Sequence, residues 1–322
     1  MFQQKPTNCN KMFDETSVTP EISAIIGKGQ KGMTPLDKVR SLPIWQGKIK
    51  AEPLGGGITN VNFVVQDSAR KAVVRIGDDI PVHQIMRFNE LAASRAAHLA
   101  GVSPKVLHHE PGVLVIDFIE GRTLSAEDMR QDAMLDQALD LVARAHRMIP
   151  QFLRGPAQIF WVFHVLRDYA GTLSDAASPY LLQLPDLLAE AAQLEAAIGP
   201  VDLVFGHNDL LPANFLHDGK RLWLIDWDYA GFNSPLFDLG GLAANNGLSP
   251  DQESTVLTRY FDRAPDAAQW RRYRAMKASA ALRETLWSMV SEVHSALDFD
   301  FAAYTATNQS TYRASYDAFL QS

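Results

Sequence analysis

The stretch Gly206-His207-Asn208-Asp209-Leu210-Leu211-Pro212-Ala213-Asn214, followed by Leu224-Ile225-Asp226-Trp227-Asp228, constrains this chain more than any other part of it. Its elements are His-x-Asp, an Asn five residues after that Asp, and a further Asp twelve residues after the Asn. Two short apolar runs flank Asp218-Gly219, which predicts a tight hairpin within a strand-rich insert over 203–226. The hairpin would return Asp226 to the side of Asn214, so that both reach one metal ion. A single Asp or Asn in a loop is usually a turn former. Three spaced polar groups beside two apolar strands are harder to explain that way.

Such a set suits phosphoryl transfer. One carboxylate orients the attacking hydroxyl and accepts its proton, and a second holds Mg²⁺ against phosphate oxygens. A neutral amide oxygen completes the metal shell without adding charge. Loss of catalysis in a binding module remains the alternative from another class, and the presence of Asp209, Asn214 and Asp226 together argues against it.

The rest of the chain reads as two lobes in an α+β arrangement. Residues 1–34 are polar and mixed, and are expected to form a poorly ordered leader. A small β-rich lobe follows over 35–120. Asn62-Phe63-Val64-Val65-Gln66 and Ala72-Val73-Val74-Arg75-Ile76 are strand-like, with a turn at 67–71, and Val113-Leu114-Val115-Ile116 is a buried strand. Between them Phe88, Leu91, Ala92, Arg95 and Leu99 recur at helical spacing, and Gly101 ends the run. From 121 to 322 the pattern turns helical. Ser125 with Asp128 predicts an N-terminal cap for a helix reaching Met148, and further helices are expected over 157–172, 180–197, from Ser249-Pro250, and over 266–294. A cleft between two such lobes is a common ligand site.

Composition narrows the partners. The net charge of −7 makes nucleic acid an unlikely ligand, because that needs a basic surface, and mildly favours a cationic small molecule. The lone Cys9 forms no internal disulfide, so a reducing cytoplasm is expected, and no apolar run is long enough to span a bilayer.

His207-x-Asp209-x4-Asn214 followed by Ile225-Asp226-Trp227-Asp228-Tyr229-Ala230 resembles the choline/ethanolamine kinase and aminoglycoside phosphotransferase superfamily, over about residues 48–320. The resemblance implies a protein-kinase-like fold, ATP and Mg²⁺ as cofactors, and an alcohol acceptor. It implies that Asp209 is the catalytic base, that Asn214 and Asp226 are the Mg²⁺ ligands, and that His207 braces the catalytic loop. Gly55-Gly56-Gly57-Ile58-Thr59-Asn60 is similar to the G-G-x-T-N loop of choline kinases. Glycines there let backbone N–H groups approach phosphates, so Gly56, Gly57, Thr59 and Asn60, with Asn62 just downstream, are candidates for the nucleotide. Arg75 stands where protein kinases carry the strand lysine, and is implied to clamp phosphates, with Glu90 as its ion-pair partner. Asp117 and Ile119 lie in the linker whose backbone would meet adenine, beside Gly121.

For the acceptor the resemblance points to Asp228 and Tyr229, then to Ala281-Leu282-Arg283-Glu284-Thr285-Leu286-Trp287-Ser288, where choline kinases carry two tryptophans. Only the second is present, as Trp287, and Glu284 replaces the first. Phe301 and Tyr304 would complete the pocket. Aromatic faces with a carboxylate suit a quaternary ammonium. The same aromatics at helical spacing are equally what a helical core contains. The expected acceptor is a cationic amino alcohol, choline first and then ethanolamine, with thiamine or an aminoglycoside as alternatives.

Overall fold

The computed structural model describes residues 33–55, 60–295, 297 and 299–322. Most of the expected leader, with Cys9, and Gly56, Gly57 and Thr59 of the glycine cluster therefore lie outside the described residues. Order begins where Thr34 caps α1 (Pro35–Ser41) in a capping box with Asp37.

Five strands follow: β1 (Lys50–Leu54), β2 (Val61–Gln66), β3 (Lys71–Ile76), β4 (Val106–Glu110) and β5 (Val113–Asp117). They form one antiparallel sheet in the order β1-β2-β3-β5-β4. Alternation on β3 decides its two faces. Ala72, Val74 and Ile76 are buried in a core shared with Val39 and Leu42 from the α1 region. Val73 and Arg75 point to the opposite face. Asn62 and Leu114 are the cross-strand partners of Arg75, one on each side.

The helix α2 (Arg87–Leu99) exists as the sequence predicts, but it buries another face. Phe88 and Leu99 are 49% and 61% exposed, whereas Ala93, Ala96, Ala97 and the following Ala100 are in the core. Those alanines have the same 3–4 spacing, and they pack α2 against α4 (Asp132–Phe152) of the second lobe. Small side chains allow that close helix approach, and periodicity weighted by hydrophobicity favoured the larger residues instead.

After β5 come β6 (Arg122–Thr123) and α3 (Ala126–Met129). Ser125 and Asp128 do form a capping box, but it caps only the single turn of α3, and α4 starts separately. Pro150 lies inside the last turn of α4 rather than beyond it. Next are α5 (Val162–Asp175) and α6 (Leu184–Ile198), both starting later than expected. The backbone of Gln158 and Phe160 instead exchanges hydrogen bonds with Phe232, so that segment is extended. Pro185 sits in the first turn of α6, where its missing N–H costs nothing.

The predicted insert holds three short strands, β7 (Val204–Gly206), β8 (Phe215–His217) and β9 (Leu222–Leu224), and a fourth, β10 (Gly231–Asn233), follows beyond it. β8 and β9 form the hairpin, and Asp218 Oδ1 accepts from the N–H groups of Lys220 and Arg221 at 2.8 Å each to shape its turn. β6 joins the edge of β8. There a Cβ on Gly121 would stand 2.4 Å from the carbonyl oxygen of His217, so close backbone approach dictates that glycine. The chain ends in α7 (Pro235–Asn246), α8 (Pro250–Phe261), α9 (Ala267–His294) and α10 (Phe301–Leu320). α9 is the axis of this lobe and packs against α5, α6, α7 and α10. No helix among the described residues is long and apolar enough to cross a membrane.

Candidate active site

The loop between β7 and β8 carries Asp209 and Asn214. Its shape is fixed from below by Asp238 of α7, which is 2% exposed. Asp238 accepts from the backbone N–H of His207 at 2.8 Å and of Asn208 at 2.7 Å. His146 of α4 donates to the same carboxylate at 2.8 Å. Asn208 takes a left-handed φ of 65°, and its side-chain N–H donates to the carbonyl of Tyr229 at 2.9 Å. Gly206 is required beside them, since a Cβ there would lie 2.8 Å from Asn208 Oδ1. His207 donates from Nε2 to the carbonyl of Ile225 at 2.9 Å, tying the loop to the residue before Asp226.

Asn214 donates from Nδ2 to the carbonyl of Asp209 at 2.8 Å, which turns its amide oxygen outward as an acceptor. The N–H of Ile225 donates to the Asn214 carbonyl at 3.0 Å, so the hairpin does bring Asp226 beside Asn214. Asp226, at φ 68°, has a side chain 39% exposed to the cleft. Burial works against its charge, but Arg75 outweighs it and holds the carboxyl below the usual range. One carboxylate and one amide oxygen on adjacent chains are a fitting pair for Mg²⁺, which takes few protein ligands and draws others from phosphate and water. Burial pushes the Asp209 carboxyl up to about 7, with Arg283 opposing and Glu284 and Asp226 adding to it. A general base works best with a pKa near the operating pH.

Arg75 reaches into the cleft from β3 and pairs with Glu90 of α2 at 2.7 Å, as the sequence predicts. It also meets Asp226 at 3.1 Å and Asp228 at 2.6 Å. A second arginine, Arg87, joins Glu90 at 2.8 Å and Asp228 at 2.7 Å, and holds Asn60 Oδ1 at 2.6 Å. Asp228 thus sits with the arginines of the small lobe. Asn62 stands beside Arg75 on the neighbouring strand. Asp117 and Ile119 lie in the segment joining the lobes, where the Phe118 N–H already donates to the Lys71 carbonyl at 3.2 Å.

Arg75→Ala would leave Glu90 and Asp228 as buried carboxylates with one fewer cation. Its expected effects are a loss of about 3–5 kcal/mol of stability and a rise in the ATP Michaelis constant larger than that for the acceptor. Urea unfolding and the two Michaelis constants measure both. An effect confined to the acceptor would remove Arg75 from the phosphate site.

Of the residues expected around the acceptor, Tyr229, Glu284, Trp287, Phe301 and Tyr304 are brought into one cluster. Trp287 donates to the hydroxyl of Tyr229 at 2.8 Å, and its ring meets Phe301 and Tyr304 edge-on with centroids 6.4 and 6.3 Å away. Tyr304 donates to Glu284 at 2.7 Å. The ring faces, however, are covered by protein. His83 lies 5.1 Å from Trp287 with the rings tilted by 31°, and the guanidinium carbon of Arg283 stands 4.1 Å from the Tyr229 ring centre. Trp287, Phe301 and Tyr229 are 6%, 5% and 7% exposed. Arg283 also donates to Glu284 at 2.9 Å and lies 3.5 Å from Asp209. Sequence reasoning passed over Arg283, Arg87 and Asp238. Asp238 lies within a run of apolar neighbours and Arg283 ends one, Ala280-Ala281-Leu282, which is the one signal that marks them.

Residues 50–280 match the model of the phosphotransferase enzyme family, described as APH. A choline/ethanolamine kinase family protein of Mesorhizobium loti is 30% identical, with a TM-score of 0.69 over 88% of this chain and 97% of that one. Protein LicA of Haemophilus influenzae is 28% identical over 258 residues, covering 77% of this chain and 75% of its own. A probable ethanolamine kinase A of Dictyostelium discoideum is 24% identical over 304 residues, covering 84% and 86%. The small sheet lobe, the mainly helical lobe and the loop between them form a protein-kinase-like fold, and the chain belongs to the phosphotransferase enzyme family and, within it, to the choline/ethanolamine kinase family.

Proposed function

We propose that this protein transfers the γ-phosphate of ATP, with Mg²⁺, to the hydroxyl of a small primary amino alcohol such as ethanolamine. The observation that carries the reading is the placement of Asp209 and Glu284 on one guanidinium, that of Arg283. Two carboxyl groups against one cation leave a negative charge for an ammonium group next to the base once Asp209, with its pKa of about 7, is ionised. A primary ammonium has three N–H donors for carboxylate oxygens. A trimethylammonium has none and depends on ring faces, which here are covered. The relatives named as ethanolamine kinases support the same class.

In this reading Asp209 orients the acceptor hydroxyl and takes its proton, at a carboxyl whose pKa of about 7 suits the transfer near neutral pH. Asn214 and Asp226 would hold Mg²⁺, which when bound neutralises charge on the phosphate oxygens. Arg75 would meet the phosphates from above, and Glu90 keeps it in place. His207 and Asp238 act only through the shape of the loop. With a single cysteine, the chain suits a reducing cytoplasm.

A coupled assay of ADP release with ethanolamine, choline, thiamine and kanamycin tests the assignment. The expected order places ethanolamine first in kcat/KM and choline about tenfold or more below it, a gap of roughly 1.4 kcal/mol. Turnover of kanamycin alone would exclude the amino-alcohol acceptor and leave the phosphotransferase intact.

A further inference from the structure

We propose that Arg283 selects the acceptor's head group, by standing on the Tyr229 ring face that a trimethylammonium would need. This deepens the acceptor reading above and rests on it for the cationic head. Arg283 lies on α9 and is 3% exposed. Its Nη1 is committed to Glu284 and Asp209, while Nε and Nη2 are buried without a hydrogen-bond partner. A buried donor left unmatched costs about 1–3 kcal/mol, so this arginine is a poor choice for packing alone. The buried hydroxyl of Tyr169 is unmatched as well, and among the surrounding charges Arg283 acts on it most strongly.

The guanidinium does two things at that place. It fills the cation–π position on Tyr229 at 4.1 Å, with Phe160 further off at 5.9 Å. It also fixes the Glu284 carboxylate, whose other oxygen is held by Tyr304. A quaternary head entering the pocket would compete with Arg283 for the ring and gain no hydrogen bond in return. A primary head uses the carboxylates and leaves the ring to Arg283. Arg283 therefore turns an aromatic cluster that would suit one class of cation into a pocket for another.

The test uses head-group ions alone, so that it does not require turnover. The full chain is titrated with ethylammonium and with tetramethylammonium chloride, followed by tryptophan fluorescence, in the wild type, Arg283→Met and Arg283→Lys. The wild type is expected to bind ethylammonium several-fold more tightly. Arg283→Met, shown folded by circular dichroism, should shift the ratio toward tetramethylammonium by about two- to thirtyfold, the range of a cation–π contact. Arg283→Lys, which still places a cation over Tyr229, should keep the wild-type order. Equal binding of the two ions by the wild type, binding of neither, or a folded Arg283→Met that loses both in proportion would each overturn the proposal. Should Arg283→Met fail to fold, the wild-type ratio and Arg283→Lys decide it. Selective binding of ethylammonium without turnover of ethanolamine would support the role of Arg283 and reject the phosphotransfer to an amino alcohol.

Discussion

Asp209→Asn is expected to lower kcat by roughly 10²–10⁴-fold while leaving the dissociation constant for ATP within about twofold of wild type. The substitution keeps the side chain's shape. The Asn214 amide bonds the backbone carbonyl of residue 209 at 2.8 Å, and its longer contact with the side-chain oxygen at 3.3 Å can be kept by the amide oxygen of an asparagine. Arg283 loses a partner at 3.5 Å but retains Glu284 at 2.9 Å. The loop stays pinned by Asp238 and His146. What goes is the proton acceptor alone. Single-turnover kinetics with calorimetric titration of nucleotide separate the two effects, and a near-normal kcat would mean that another group takes the proton.

Asp226→Ala should abolish turnover to below about one part in 10³, since a metal ion contributes several kcal/mol to a phosphoryl transition state. Excess Mg²⁺ should not restore it, because Asn214 alone is a weak neutral ligand. Stability should barely change. Asp226 raises the energy of charge on Asp209 and Asp228, so its loss relieves crowding while costing Arg75 one of three partners. The clean readout is the thermal shift on adding Mg²⁺ with ATP, which follows from binding to the native state. It should be present in the wild type and absent in the variant. An unchanged shift would remove Asp226 from the metal site.

The spacing of Asp209, Asn214 and Asp226 was legible because it is local: one loop and one hairpin fix all three, and both are written in residues within a short span. The ion pair of Arg75 and Glu90 was reached through the resemblance, since nothing local brings β3 and α2 together. The buried face of α2 is not legible in the pattern that reveals the helix, because alanines carry little weight in it although they are what lets two helices touch. The resemblance places Asp228 with Tyr229 at the acceptor, yet the two residues form a turn closed by the Ala230 N–H on the Trp227 carbonyl at 3.2 Å, and Asp228 pairs there with Arg75 and Arg87. Arg283 and Asp238 were passed over for a common reason. A charged residue on a helix is usually at the surface, and only tertiary packing shows these two to be inside.

The position of α9 has a bearing on how this enzyme could change its substrate. Arg283, Glu284 and Trp287 stand on the helix against which four others pack, so the residues that would choose the acceptor are also residues that hold the lobe together. Most substitutions there would cost stability before any gain in selectivity could be felt. Divergence toward other acceptors would be easiest by volume-conserving exchanges on α9, or at the half-buried Phe299 before α10, whose ring meets Phe301 and Tyr304. Directed evolution of this protein should accordingly find stabilising changes elsewhere in the helical lobe first, with altered acceptor preference following only after them.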